Sequence, residues 1–198
     1  KYKGIIMNIP NKITISRIFF SILIFILLSI VDKNSTNYSL ILDIALILFI
    51  IGGLTDILDG YIARKYNLIT PFGRIADPFA DKILICGTLI CFIPHTKLLA
   101  PWVIIIIIGR EILVSNLRSY IESLGHQFGA NIFGKLKMFI QTITIIALFL
   151  YLAHFQDKHI AFEIIMQVLI YLTAVITAFS GFIYVMDSTK ILNDAKKF

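Results

Sequence analysis

Six long apolar runs constrain this chain more than any other feature: Ile13–Val31, Leu40–Leu58, Ile83–Ile93 with its flanks, Leu98–Leu117, Met138–Ala153 and Ile160–Met186. A helix needs about 20 mostly apolar residues to cross the hydrocarbon core of a bilayer, and each run approaches or exceeds that length. Inside hydrocarbon the backbone polar groups must be satisfied within the segment, which favours helices. A transmembrane β-barrel would alternate apolar and polar residues, and runs such as Ile104–Ile108 do not. A soluble helical bundle is disfavoured too. With 58% hydrophobic residues in 198, little polar sequence remains to cover such a bundle. The expected architecture is all-α: one polytopic membrane domain, residues 1–198, built as a six-helix transmembrane bundle.

Charge orients this bundle. When alternate connections are assigned to one side, fifteen of the eighteen Lys and Arg residues share the side of both termini; Lys33, Lys97 and Lys158 fall on the other. Lys and Arg are enriched in cytoplasmic loops, so both termini are expected in the cytoplasm. The net charge of +6 suits a face that meets anionic lipid heads. No segment resembles a soluble nucleic-acid-binding module, so no nucleic-acid partner is expected.

The outer connections Asp32–Ser39, Pro94–Lys97 and Phe155–His159 are short, whereas the inner connections Lys65–Asp77 and Tyr120–Lys137 are longer and more polar. Chemistry is therefore expected at the cytoplasmic face. Pro10, with Asn8 or Asn11 near the cap, fits the start of the first helix. The first apolar run continues into a full span without a small-residue cleavage site, so no cleavable signal is expected. Cys86 and Cys91 read as small buried hydrophobes, Trp102 as part of an interfacial belt, and His95, His126, His154 and His159 as structural or loop residues.

Four aspartates interrupt this apolar pattern. Asp56 and Asp59 close the second run; Asp77 and Asp81 precede the third. A charge at the bilayer centre costs roughly 2.5–3.5 kcal/mol on the insertion scale, so four carboxylates near a membrane face need cations, a wet cavity or both. Residues three apart on a helix lie about 60° apart and residues four apart about 40°, so each pair shares one helical face. The connection between the runs returns the chain to the same side, where the two pairs can face each other. Carboxylate oxygens suit hard cations such as Mg²⁺. Two ions about 3.5–4 Å apart would suit phosphoryl chemistry. A solvated helix end with incidental acids would explain any one aspartate, but not this spacing beside Gly60, Ala63, Arg64 and Gly73.

Written in order, Asp56, Asp59, Gly60, Ala63 and Arg64, then eight residues, then Gly73, Asp77 and Asp81, the segment resembles the signature of the CDP-alcohol phosphatidyltransferases, D-x2-D-G-x2-A-R-x8-G-x3-D-x3-D. All eight fixed positions are present. The resemblance implies that Asp56, Asp59, Asp77 and Asp81 bind divalent metal, two Mg²⁺ or Mn²⁺ ions, and that Asp81 also acts as general base. It implies that Gly60, Ala63, Arg64, Thr70 and Gly73 contact the CDP-diacylglycerol donor. The opening Met7-Asn8-Ile9-Pro10-Asn11-Lys12-Ile13-Thr14 with Arg17, the run Asp77-Pro78-Phe79-Ala80-Asp81-Lys82 and the segments around Arg110-Glu111 and Gly134-Lys135-Leu136-Lys137 resemble the phosphatidylglycerophosphate synthase branch. That resemblance adds Asn11 and Thr14 to the donor site and implies glycerol 3-phosphate as acceptor. It also implies a homodimer in a bacterial inner membrane.

Arg110, Arg118, Lys135 and Lys137 are the candidates for the acceptor phosphate. Arg118 leads them, because a guanidinium offers a bidentate fork. Glu111 shares a helix face with Ser115 and Arg118 and is expected to hold Arg118 in place. Lys135 and Lys137 lie about 200° apart, so one of them is expected to turn inward. The competing readings are the same chemistry with inositol phosphate, serine or phosphatidylglycerol as acceptor, and a metal-ion transporter.

Overall fold

Many buried positions on the helices of this chain carry hydroxyls, amides and charges, while many large aliphatic and aromatic side chains face outward. This computed structural model describes residues 9–66, 71–125, 132–156 and 158–195; the side chains at 9, 10, 57–64, 71, 74 and 193–195 are outside the description. The described residues form helices and short connections, with no strand among them. The helices are α1 (Ile9–Ile30), α2 (Tyr38–Lys65), α3 (Pro71–Lys82), α4 (Thr88–Phe92), α5 (Pro101–Ser123), α6 (Ile132–Leu150) and α7 (Ile160–Ala195). A π-helical turn, Ile83–Gly87, joins α3 to α4, and a 3₁₀ turn, Ile93–His95, follows α4. A second π-helical turn, Tyr151–Phe155, extends α6.

The polarity of α1 and α7 is inverted relative to a soluble bundle. On α1, Ile15, Phe19, Ile22, Ile26 and Ile30 are exposed while Asn11, Thr14, Arg17 and Ser21 are buried. On α7, Ile164, Val168, Leu172, Val175, Phe179 and Phe182 are exposed while Thr173, Thr177, Ser180, Tyr184 and Ser188 are buried. Such helix faces suit lipid; in water each would be an extended apolar patch. The chain is a membrane protein.

Among the described residues four helical stretches are long and apolar enough to cross a membrane: Asn11–Ile30, Tyr38–Asp56, Ile132–Phe155 and Ile160–Leu192. The other two of the six expected spans do not meet that length and composition as single helices. The third and fourth apolar runs differ for physical reasons. The third is divided among α3, a π-helical turn, α4 and a 3₁₀ turn, and α3 carries Asp77, Asp81 and Lys82. The fourth, largely in α5, is interrupted by Arg110 and Glu111 and is followed at once by Arg118. The inner connections are also shorter than expected, because α3 already begins at Pro71 and α5 continues to Ser123.

The chain divides into two compact units: Lys1–His95 with Phe149–Phe155, and Thr96–Leu148 with Gln156–Phe198. In the first unit α1 packs along α2 and against α3. Its core joins Phe49 to Phe149, and Phe92 meets the edge of Phe149 at 4.7 Å between ring centroids. Buried His95 ties three elements together: Nε2 lies 2.8 Å from the Leu28 carbonyl and Nδ1 lies 3.1 Å from the Tyr38 hydroxyl. A carbonyl only accepts, so Nε2 carries the proton and Nδ1 accepts from Tyr38. Gly87 lets α1 approach closely, since a Cβ there would overlap the Phe25 ring. In the second unit α5 packs along α7.

Candidate active site

Asn11, Thr14, Arg17 and Ser21 recur every three or four residues and form one face of α1, which Ile24 and Leu28 continue toward its C-terminal end. The apolar end of this face packs as core; the polar end meets the aspartates. Thr14 Oγ1 donates to Asp77 Oδ1 at 2.6 Å. Arg17 Nη1 lies 2.5 Å from Asp56 Oδ1. Asp56 on α2 and Asp77 on α3 are thus held against the same face of α1. Ser21 donates to the Arg17 carbonyl within the helix.

Asp77 and Asp81 stand one turn apart on α3, both half-buried, and Gly73 is buried one turn before Asp77. Pro78 sits between the two acids and removes one helical N–H donor. Asp59, Gly60, Ala63 and Arg64 lie on the last turns of α2, but their side chains are outside the described residues, as is Thr70 entirely. Among the described residues no three His, Cys, Asp or Glu side chains gather into one group. The donor set fits a hard cation by its chemistry: carboxylates alone, without imidazole or thiolate, match Mg²⁺ or Mn²⁺.

The second unit contains a separate polar column. Buried Glu111 pairs with the ammonium of Lys137 and, at 3.4 Å, with Arg110 Nη1. Arg110 Nε donates to Ser180 Oγ at 3.1 Å. Arg118 Nε donates to the Tyr184 hydroxyl at 3.1 Å, and its guanidinium carbon lies 5.8 Å from the centre of that ring. Below these contacts, Gln141 donates to Thr177 at 3.1 Å and the Thr144 and Thr173 hydroxyls meet at 2.6 Å. Of the two lysines on α6, Lys137 is buried and Lys135 is exposed.

One expectation about this cluster needs correction. Glu111 was expected to hold Arg118, from their shared helix face. It pairs with Lys137 and Arg110, while Tyr184 on α7 takes Arg118. Sequence reasoning also missed Ser180 and Tyr184, and it gave Arg17 no role in the site beyond its place in the charge count and in the resemblance of the opening segment. A signal for each was present. Thr173, Thr177, Ser180, Tyr184 and Ser188 recur at helical spacing within an apolar run, as Asn11, Thr14, Arg17 and Ser21 do in α1.

The family model for CDP-alcohol phosphatidyltransferase matches residues 7–179. The chain belongs to the CDP-alcohol phosphatidyltransferase family. It is similar to proteins named CDP-diacylglycerol–glycerol-3-phosphate 3-phosphatidyltransferase in several bacteria. The Bacillus subtilis protein is 40% identical over 156 residues, covering 75% of this chain and 80% of its own. The Rickettsia typhi protein is 34% identical over 178 residues, covering 89% and 94%. The Haemophilus influenzae protein is 31% identical over 192 residues, covering 94% and 96%. CDP-alcohol phosphatidyltransferases generally use divalent metal ions, in keeping with a carboxylate-only donor set.

Proposed function

We propose that the chain transfers a phosphatidyl group from CDP-diacylglycerol to glycerol 3-phosphate, giving phosphatidylglycerophosphate and CMP. The observation that carries this reading is the complete eight-position signature from Asp56 to Asp81, within a chain similar along most of its length to relatives named for that reaction. The chain acts as a single catalytic domain.

Asp56, Asp59, Asp77 and Asp81 would hold the divalent ions, two Mg²⁺ or Mn²⁺. Bound there, such ions neutralise the pyrophosphate and the departing CMP. Asp81 takes the proton from the acceptor hydroxyl. The acceptor oxygen attacks the β-phosphorus of the donor, the bond to the bridging oxygen breaks, and CMP leaves. Asn11, Thr14, Gly60, Ala63, Arg64, Thr70 and Gly73 form the donor's nucleotide site. Arg110, Arg118, Lys135 and Lys137 attract the acceptor phosphate, and the buried Arg110–Glu111–Lys137 group retains a net positive charge toward it. Positioning and charge neutralisation supply most of the rate in phosphoryl transfer, and these residues supply both.

In this reading all six helical stretches cross a bacterial inner membrane, with both termini and the site on the cytoplasmic side, and the enzyme is a homodimer. The test is incubation of the purified protein with CDP-diacylglycerol, Mg²⁺ and single acceptors, followed by product mass. Phosphatidylglycerophosphate with release of CMP is expected from glycerol 3-phosphate. Turnover with inositol phosphate or serine but not glycerol 3-phosphate would overturn the choice of acceptor.

A further inference from the structure

Arg110 and Arg118 share one mode of attachment, although they stand eight residues apart on α5. Each spends its Nε–H on a hydroxyl of α7: Arg110 on Ser180 and Arg118 on Tyr184, both at 3.1 Å. The two hydroxyls are one helical turn apart and both are buried, Tyr184 with only 3% exposure. Ser180 is itself fixed, since it donates to the Thr177 carbonyl at 2.9 Å and so offers its lone pairs to Arg110. Tyr184 also places its ring against the Arg118 guanidinium, 5.8 Å from centroid to carbon.

The chemistry of that attachment matters. A hydroxyl accepts a hydrogen bond without neutralising the cation. Arg17 provides the contrast to Arg118, because its partner is a carboxylate; Arg110 shares the Glu111 carboxylate with Lys137, so that group keeps a net positive charge. A guanidinium held at Nε by a neutral acceptor keeps its charge, and its rotation about the terminal bonds is set. In Arg118 the two terminal NH₂ groups then form the edge that suits a phosphate, whereas Arg110 also turns Nη1 toward Glu111 at 3.4 Å and offers the phosphate its remaining terminal N–H groups. A carboxylate in place of the Tyr184 hydroxyl would orient Arg118 equally well but cancel the charge that attracts the ligand; one in place of Ser180 would add a second negative charge beside Arg110.

We propose that Tyr184 and Ser180 of α7 are positioning residues for the acceptor: they aim Arg118 and Arg110 at the phosphate monoester of the incoming alcohol and so help to select it. This rests on the reading of Arg110 and Arg118 as acceptor-phosphate residues. Neither hydroxyl touches the reacting atoms; each acts through its arginine.

The test uses the full-length protein in lipid nanodiscs, with initial rates measured against each substrate separately. Tyr184→Phe keeps the ring and removes the hydroxyl. It is expected to raise the KM for glycerol 3-phosphate about tenfold, with kcat and the KM for CDP-diacylglycerol changed less than about twofold. Competitive inhibition by inorganic phosphate, a probe without the alcohol, should weaken in parallel. Ser180→Ala is expected to act in the same direction through Arg110 and keeps the test decisive should Tyr184→Phe fold poorly. Arg118→Lys separates the two levels of inference. If Arg118→Lys leaves the KM for glycerol 3-phosphate unchanged, the acceptor-site reading falls. If Arg118→Lys raises it but neither hydroxyl variant does, the reading stands and the positioning role is overturned. In the double variant the hydroxyl should have nothing left to position, so its KM should match that of Arg118→Lys alone. Additive losses, or equal losses toward both substrates, would also overturn the proposal.

Discussion

Arg17 Nη1 lies 2.5 Å from Asp56 Oδ1, with the Arg17 side chain fully buried and that of Asp56 31% exposed. A charged guanidinium inside a membrane protein needs a counter-charge, and α2 supplies one from the residue that opens the signature. Asp56 therefore has a part in holding the fold beside the metal-binding role proposed for it. Asp56→Asn is expected to lower stability by about 1–3 kcal/mol, because it leaves a buried cation short of a charge. Removing that cation should recover part of the loss, so Arg17→Met/Asp56→Asn should unfold at a higher temperature than Asp56→Asn alone. Thermal unfolding in detergent measures both, and purely additive losses would exclude the coupling.

The catalytic assignment divides the aspartates differently. Asp81→Asn keeps the shape of the side chain and removes its capacity to take a proton. Turnover should fall about 10²–10⁴-fold, the usual range for a general base. Binding of CDP-diacylglycerol should survive, as measured by calorimetry or by protection against heat. Turnover close to that of the unaltered enzyme would remove Asp81 as the base.

Much of this could be read directly from the sequence, and the reasons are local. Helical segments follow from apolar run length, because a lipid-facing helix must be apolar over its whole exposed surface. The spacing of Asp77 and Asp81 places both on one face of α3 without any knowledge of neighbours. Partners are another matter. The pairing of Arg118 with Tyr184 joins residues 66 apart in sequence, and that of Thr14 with Asp77 joins residues 63 apart. Helical periodicity says which side of a helix a residue is on, but not which helix it will face. The assignment of Glu111 to Arg118 failed for that reason: a shared face on α5 does not outweigh Lys137 arriving from α6. The four-span count departs from six because run length ignored the π-helical and 3₁₀ turns around α4 and the charges inside α5.

His95 makes stability depend on pH. Burial pushes its imidazole below the ordinary value of 6.5; the Leu28 carbonyl raises it and Lys33 lowers it further, leaving a net fall. The unfolded imidazole therefore takes up its proton first as the pH drops. Stability is fully present above about pH 6.5 and declines below it, levelling off only when the folded residue also protonates. His95→Gln removes this titration. The slope of the unfolding midpoint between about pH 5 and 6.5 should be shallower in the variant. Parallel slopes would mean that another group carries the dependence.

Two glycines offer a matched test of how Arg110 is seated. A Cβ at Gly181 on α7 would stand 2.8 Å from Arg110 Cγ, closer than a side chain tolerates, whereas a Cβ at Gly109 would meet nothing within 4 Å. Arg110 is buried and already committed to Ser180 and Glu111, so it cannot simply swing aside. Gly181→Ala is expected to cost about 1–3 kcal/mol, the usual range for overpacking. By displacing the guanidinium it should also raise the KM for glycerol 3-phosphate more than that for CDP-diacylglycerol. Gly109→Ala should leave both KM values unchanged and stability equal or higher by up to about 1 kcal/mol, since alanine is the better helix former. Unfolding curves and initial rates on the two variants side by side provide the comparison. Equal behaviour would mean that the contact between Gly181 and Arg110 does not constrain the arginine.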